Sequence, residues 1–481
     1  MTVHPTVTVD ALDQIRQLVA AAPDADRLRP IGLREVVSGP AAARTVARVL
    51  GRLGVAPDGL VTVLSDAVAK RGGGGENVVD TVCGALAGQY RARTVELRTP
   101  ASGVVQADEA TVESVVHAVA SQPPSALVTV GSGTMADIGK VVAQRLDLVH
   151  VVVQTAASVN GFADDQSVLL LRGAKRTTPS RWPDALVIDS EVLVGAPLPM
   201  TRSGLGDQLS MFTAAADWYL ASAVGFDPSF SRTVVDIQRA GGEDLLANAG
   251  DLAYGGQRAV LSLANALTRG GLAMGLAGRT APSSGTEHTV SHLLEMSAAG
   301  RRRAHASHGS QVGVASVVAA AVWRRVRDRL AAGGVLVSPP DPDRQRERVR
   351  EAFLPLDPTG IVADECWAAY RRKLDWIGGH QAELRRVCDE WARHEPQVGA
   401  LLEEPRVIAR TLRLAGAPSR FAELAPAPDR DIAAWAVRNC HLMRDRFTVV
   451  DLAEAIGLWT PDEVEDVLGE TQEVPAWQGG Q

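Results

Sequence analysis

The sequence predicts an α/β N-terminal domain built on an open parallel sheet, followed by an all-α C-terminal domain. Three observations lead there. The chain has 481 residues, too many for a single core. Up to about Asp189, short β-branched runs alternate with amphipathic stretches, the pattern of parallel strands covered by helices on both faces. After about Ser190 the strand signals stop and helical periodicity takes over. The expected division is 1–195 for the α/β domain, 196–470 for the helical domain and 471–481 for a loose tail. A cleft between two such domains is a favoured place for a ligand.

Taken in order, 60–64 (LVTVL), 126–130 (ALVTV), 149–153 (VHVVV) and 185–188 (ALVI) read as buried strands, with helices at 78–88 and 110–120 between them. Helices are then expected at 204–223, 236–248, 256–267, 286–296, 311–329, 365–393, 433–446 and 448–458. The segment 338–350 (SPPDPDRQRERVR), rich in Pro and charge, reads as a solvated connector.

Composition narrows the function classes. Hydrophobic residues at 46% and charged residues at 22% are ordinary globular values. A net charge of −7 gives no reason to expect nucleic acid or an anionic membrane as partner. Four scattered cysteines with no CxxC pair argue against a disulfide framework or a thiolate metal site and fit a reducing compartment. The first residues have neither the basic start nor the apolar core of a signal peptide. Apolar runs such as 312–323 are too short to span a bilayer. A soluble cytoplasmic protein with a small-molecule partner is the expectation.

Three segments carry candidate chemistry. Gly131, Ser132, Gly133, Thr134, Met135, Ala136 and Asp137 follow a strand and open a helix, where glycines admit a pyrophosphate to the backbone N–H groups. A Gly-rich turn capped by Thr134 is the plainer reading, since the third glycine of a dinucleotide fingerprint is missing. Thr155 and Ser158, at the end of the next strand, could line a ligand crevice or simply form a turn. Asp66, after 60–65, could accept from a ribose hydroxyl and repel a 2′-phosphate, or could cap a helix. Farther on stand Asp207, His288, His292 and His308, with His288 and His292 one helical turn apart. A carboxylate and two imidazoles can hold a divalent ion with coordination positions left open, although each histidine alone could be a core residue.

Read together, GSGTMADIGK, TAASVNGFA, GLGDQLSMFTAAADWYLA, SSGTEHTVSHLLEM and HGSQVGV resemble the glycerol-1-phosphate dehydrogenase family, related to the iron-type alcohol dehydrogenases and dehydroquinate synthase. The resemblance runs from about Leu60 to Gly457. It implies a dehydroquinate synthase-like fold, NAD or NADP bound near 133–137 and 155–158, and one divalent metal (Zn, Ni or Fe) on Asp207, His288 and His308. By the same resemblance His292 touches substrate and helps move a proton, Asp207 joins it there, and the chain forms a homodimer. Two departures stand out. Asn160 occupies the place of a substrate-contacting Asp, and Asp164 replaces a Ser that meets the cofactor. Extra length lies between Arg329 and Glu365.

The implied reaction is reversible hydride transfer to a small keto or polyol phosphate such as glycerol 1-phosphate or dihydroxyacetone phosphate. Lys175 and Arg176 are candidate partners for the phosphate or form a solvated turn. The alternative is a dehydroquinate synthase-like cyclase that recycles bound NAD beside a metal. A non-catalytic relative is a third reading.

Overall fold

A computed structural model describes residues 9–98, 105–240, 242–338 and 340–473. Six strands, β1 (Glu35–Gly39), β2 (Leu60–Asp66), β3 (Arg91–Leu97), β4 (Ala126–Gly131), β5 (Val149–Gln154) and β8 (Ala185–Asp189), form one sheet. Its order is β1-β8-β5-β4-β2-β3, and every pairing is parallel. Between β5 and β8 the chain makes a separate two-stranded sheet, β6 (Gln166–Leu171) with β7 (Ala174–Pro179).

Strand period explains why both faces of the sheet are covered. In β4, Ala126, Val128 and Val130 enter a core with Val46, Val49, Leu50, Val82 and Leu86, whereas Leu127 points to the opposite core of Val112, Val115, Met135 and Ile138. Burying such side chains contributes about 1.5–3 kcal/mol each before chain entropy is counted. Strands β1 and β3 were not foreseen. β3 lies at an edge and alternates exposed with half-buried residues, so it lacks a continuous apolar run.

The compact units interleave along the chain. One comprises the chain up to Leu171, Lys175–Gln208 and Ser231–Thr280; the other comprises Arg172–Ala174, Leu209–Phe230 and the chain from Ala281 onward. The expected division at 195 therefore misses a stretch of the first unit that includes the helix Gln257–Ala277.

That helix also corrects the reading of apolar runs. It is long and apolar enough to cross a membrane, but 83% of its apolar window is buried inside the protein. The segment 338–350 is no plain connector either. Asp341 caps a helix at Pro342–Phe353, accepting from Arg344 N, and the helix buries Val349 and Phe353. Of the expected tail, residues to Glu473 continue the helix Pro461–Glu473, with Thr471 buried, and 474–481 lie outside the described residues.

Candidate metal centre

In the first unit the chain leaves β2 for the edge strand β3 and returns to β4 on the other side of β2. The strand order reverses there, and in open parallel sheets such a reversal sets a ligand crevice beyond the carboxyl ends of the flanking strands, here β2 and β4. Asp66 ends β2, Gly131 ends β4, and Thr155 follows β5. The Thr155 N–H donates to Gly131 O at 3.1 Å, and Ser65 Oγ donates to Val130 O at 3.0 Å, so the strand ends are tied together. The sheet thus brings three expected dinucleotide segments to one edge.

The helix Gly133–Arg145 begins in that crevice with no side-chain cap and no acidic residue in its first turn. Its N–H groups and positive dipole end suit an anion. A Cβ at Gly131 would lie 2.5 Å from Met135 Cβ, and one at Gly133 would lie 2.5 Å from Val159 Cγ2, so both glycines are required by packing. Met135 and Ala136 are fully buried, so their side chains serve the core and only their backbone could meet a cofactor. Ser132 and Thr134 are half-buried, and Thr155 and Ser158 are buried.

Three acidic residues assigned to the cofactor are engaged with lysines. The Asp66 carboxylate binds the Lys70 ammonium and accepts from Val68 N at 3.2 Å. The argument that Asp66 would repel a 2′-phosphate loses force, because Lys70 offsets its charge. Lys140 is wholly buried and reaches Asp164 at 2.6 Å, Asp137 at 3.4 Å, Gly161 O at 2.9 Å and Gln166 O. Burial pushes the Asp164 carboxyl up to about 6 against the pull of Lys140. Lys140 therefore pins the loop after β5, through Asp164 and two carbonyls, onto the helix Gly133–Arg145. Lys175 sits on β7, half-buried, where its charge lowers the pKa of Asp137, which burial raises.

Asp207 lies near the end of the helix Leu198–Leu209 and is 1% exposed. Its Oδ2 accepts from the backbone N–H of Asn160 at 2.9 Å. Gly204, on the same helix, packs directly on Ala157 O, where no side chain fits. This close approach sets Asp207 against the Asn160 turn. The boundary between units falls within this helix, with Leu209 counted in the second unit.

The second unit gathers three imidazoles. His288 and His292 share a face of the helix Thr286–Gly300, and His308 opens the helix His308–Ala331. Their ring centroids are 5.2 Å apart for His288–His308, 5.4 Å for His292–His308 and 6.1 Å for His288–His292. His288 Nδ1 lies 3.0 Å from Glu287 Oε1, and His308 Nδ1 lies 2.8 Å from Glu295 Oε1. A carboxylate accepts, so each Nδ1 carries the proton and each Nε2 keeps its lone pair, the arrangement of carboxylate-oriented metal ligands. Glu287 and Glu295 are themselves buried, at 0% and 3% exposure. These residues fit a divalent metal. Neither ring nitrogen of His292 has a hydrogen-bond partner among the described residues, and burial holds its pKa well below the usual value.

A deeper layer, unseen in the sequence, fixes the histidine helix. Asp217 accepts from Thr286 N at 2.8 Å, Thr286 Oγ1 at 2.9 Å, Trp323 Nε1 at 3.0 Å and Val449 N at 2.9 Å. Burial and neighbouring Glu287 push its carboxyl up to about 7. Glu287 also accepts from Thr213 Oγ1 at 2.8 Å and Gly285 N at 2.6 Å. The acidic residues beside the histidines were visible in the sequence; their long-range donors were not.

A parallel sheet reversing at a Gly-rich helix, with imidazoles carried on later helices, defines the dehydroquinate synthase-like class. The family model described as iron-containing alcohol dehydrogenase matches residues 37–197. Glycerol-1-phosphate dehydrogenase [NAD(P)+] of Halorubrum lacusprofundi is 33% identical over 48% of this chain and 67% of its own length. That of Bacillus subtilis is 30% identical over 55% of this chain and 65% of its own length. A probable glycerol dehydrogenase from Sinorhizobium meliloti has the same fold, with TM-score 0.57 and 16% identity over 92% of this chain and 98% of that one. The chain belongs to the glycerol-1-phosphate dehydrogenase family. It spans 65% and 55% of the length of two of the curated relatives it matches.

Proposed function

We propose that the chain is a metal-dependent, NAD(P)-linked dehydrogenase that interconverts a ketone and a secondary alcohol on a small polyol phosphate. The observation that carries the reading is the pair of buried glutamates, each holding a histidine at Nδ1 so that Nε2 is the electron-pair donor. Asp207, His288 and His308 are the residues that would hold the ion. When bound, the ion supplies Lewis-acid polarisation of a carbonyl and the nicotinamide supplies the hydride.

The chain's own residues do the rest. Gly131, Gly133 and the first turn of the following helix take the dinucleotide's pyrophosphate, beside Thr155 and Ser158. Asn160 holds Asp207 through its N–H and offers its side-chain amide to substrate hydroxyls. His292, with both nitrogens unengaged, takes or gives the hydroxyl proton. A homodimer is part of the same proposal.

The test is elemental analysis of the purified chain together with NADH and NADPH oxidation over triose and sugar phosphates, repeated with Asn160→Asp. Bound divalent metal and net oxidation with dihydroxyacetone phosphate are expected. Phosphate release with no net NADH consumption would point to a cyclase instead.

A further inference from the structure

We propose that Arg269 and Asn265 form a recognition niche for a phosphorylated polyol, Arg269 taking the anion and Asn265 a hydroxyl. The proposal rests on the function proposed above and assigns the cation that function needs.

Both residues lie on the helix Gln257–Ala277, within the first unit. Arg269 is half-buried; its Nε is shut off from solvent and makes no hydrogen bond, and no carboxylate pairs with its guanidinium among the described residues. Several other sheltered arginines differ, while Arg413 shares the feature, with Nε and Nη1 unmet. Arg181, Arg325, Arg327 and Arg348 each face a carboxylate, at side-chain exposures of 28%, 28%, 27% and 21%. A sheltered cation with no counter-charge is costly unless an anion arrives from outside.

Asn265 stands one helical turn earlier, 6% exposed, with a buried Oδ1 that has no donor. A spacing of four places the two unmet groups on one stripe of the helix. A ligand that satisfies both must bring an anionic oxygen to Arg269 and an O–H to Asn265. A polyol phosphate has both; a bare phosphate or an unphosphorylated polyol has one.

The next turn supports residues already described. A Cβ at Gly270 would lie 3.2 Å from Asn160 Cβ, and one at Gly271 would lie 2.6 Å from Asn160 O. Asn160 in turn donates to Asp207. The niche therefore belongs to the helix that backs the Asn160–Asp207 pair. Lys175, the earlier candidate for the phosphate, also acts through its charge on Asp137.

The experiment compares the full chain with Arg269→Leu, Arg269→Lys and Asn265→Leu, each first checked for an unchanged thermal unfolding profile. Calorimetric titration with glycerol 1-phosphate should weaken about 10- to 100-fold in Arg269→Leu, with partial recovery in Arg269→Lys. The ratio of kcat/KM for dihydroxyacetone phosphate over dihydroxyacetone should fall by a similar factor. Equal affinity in wild type and Arg269→Leu would overturn the niche. So would a rise in KM confined to NADPH, because the anion would then be the cofactor's 2′-phosphate. If wild type reduces neither ketone, yet glycerol 1-phosphate binding still depends on Arg269, the dehydrogenase reading fails and the niche stands.

Discussion

His308 and His288 owe their orientation to glutamates that were visible in the sequence only as neighbours of histidines. Each carboxylate fixes a tautomer, raises the basicity of the far nitrogen and is buried, so water cannot replace it. Glu295→Gln keeps the shape but weakens this control. Metal affinity should fall about 10- to 100-fold, read by competition with a chromophoric chelator, while urea unfolding stays near wild type. The ligand candidates were legible because the chain has only 10 histidines and His288, His292, His305 and His308 cluster among them. Asp66, Asp137 and Asp164 were candidates for the cofactor, and the fold adds that each carries a lysine contact. Lys70 and Lys140 follow Asp66 and Asp137 by one helical-turn spacing, whereas the Lys140–Asp164 pair forms only in the fold.

At the level of elements, the four central strands could be read directly because both of their faces are buried and most positions are apolar. The edge strand β3 and strand β7 escaped because most of their positions are exposed or half-buried and many carry polar residues. The histidine helix depends on an acceptor from another helix. Asp217→Ala leaves buried donors of Thr286, Trp323 and Val449 unmatched and should cost about 3 kcal/mol or more by urea denaturation. Strand β5 sets a pH response. His150 is wholly buried against Thr129 Oγ1 at 2.9 Å, and burial first, then Arg181 and Lys140, lower its pKa to about 3. The unfolded imidazole binds its proton near 6.5, so this group's contribution is complete above that value and is lost as pH falls from about 6.5 to 3. The loss is on the order of 5 kcal/mol, and His150→Gln should flatten the acid limb of a stability–pH profile over that window. Gly204→Ala drives a methyl into Ala157 O and should lower both stability and metal retention, seen by differential scanning calorimetry with and without added Zn²⁺.

Across the whole molecule, the class of fold was legible from one change of texture near residue 190, but the division into units was not. Helical periodicity reports that a segment is a helix, not which core it enters. The helix Gln257–Ala277 is as regular as those of the second unit, yet it belongs with the sheet. A fragment ending at residue 195 should therefore be insoluble or lack a cooperative unfolding transition, as checked by circular dichroism of the purified piece. Because the chain enters each unit more than once, a single crossover between related genes cannot exchange one intact unit for another. Cofactor preference and substrate choice in such a protein would have to diversify by point substitution within one lineage rather than by shuffling of ready-made modules.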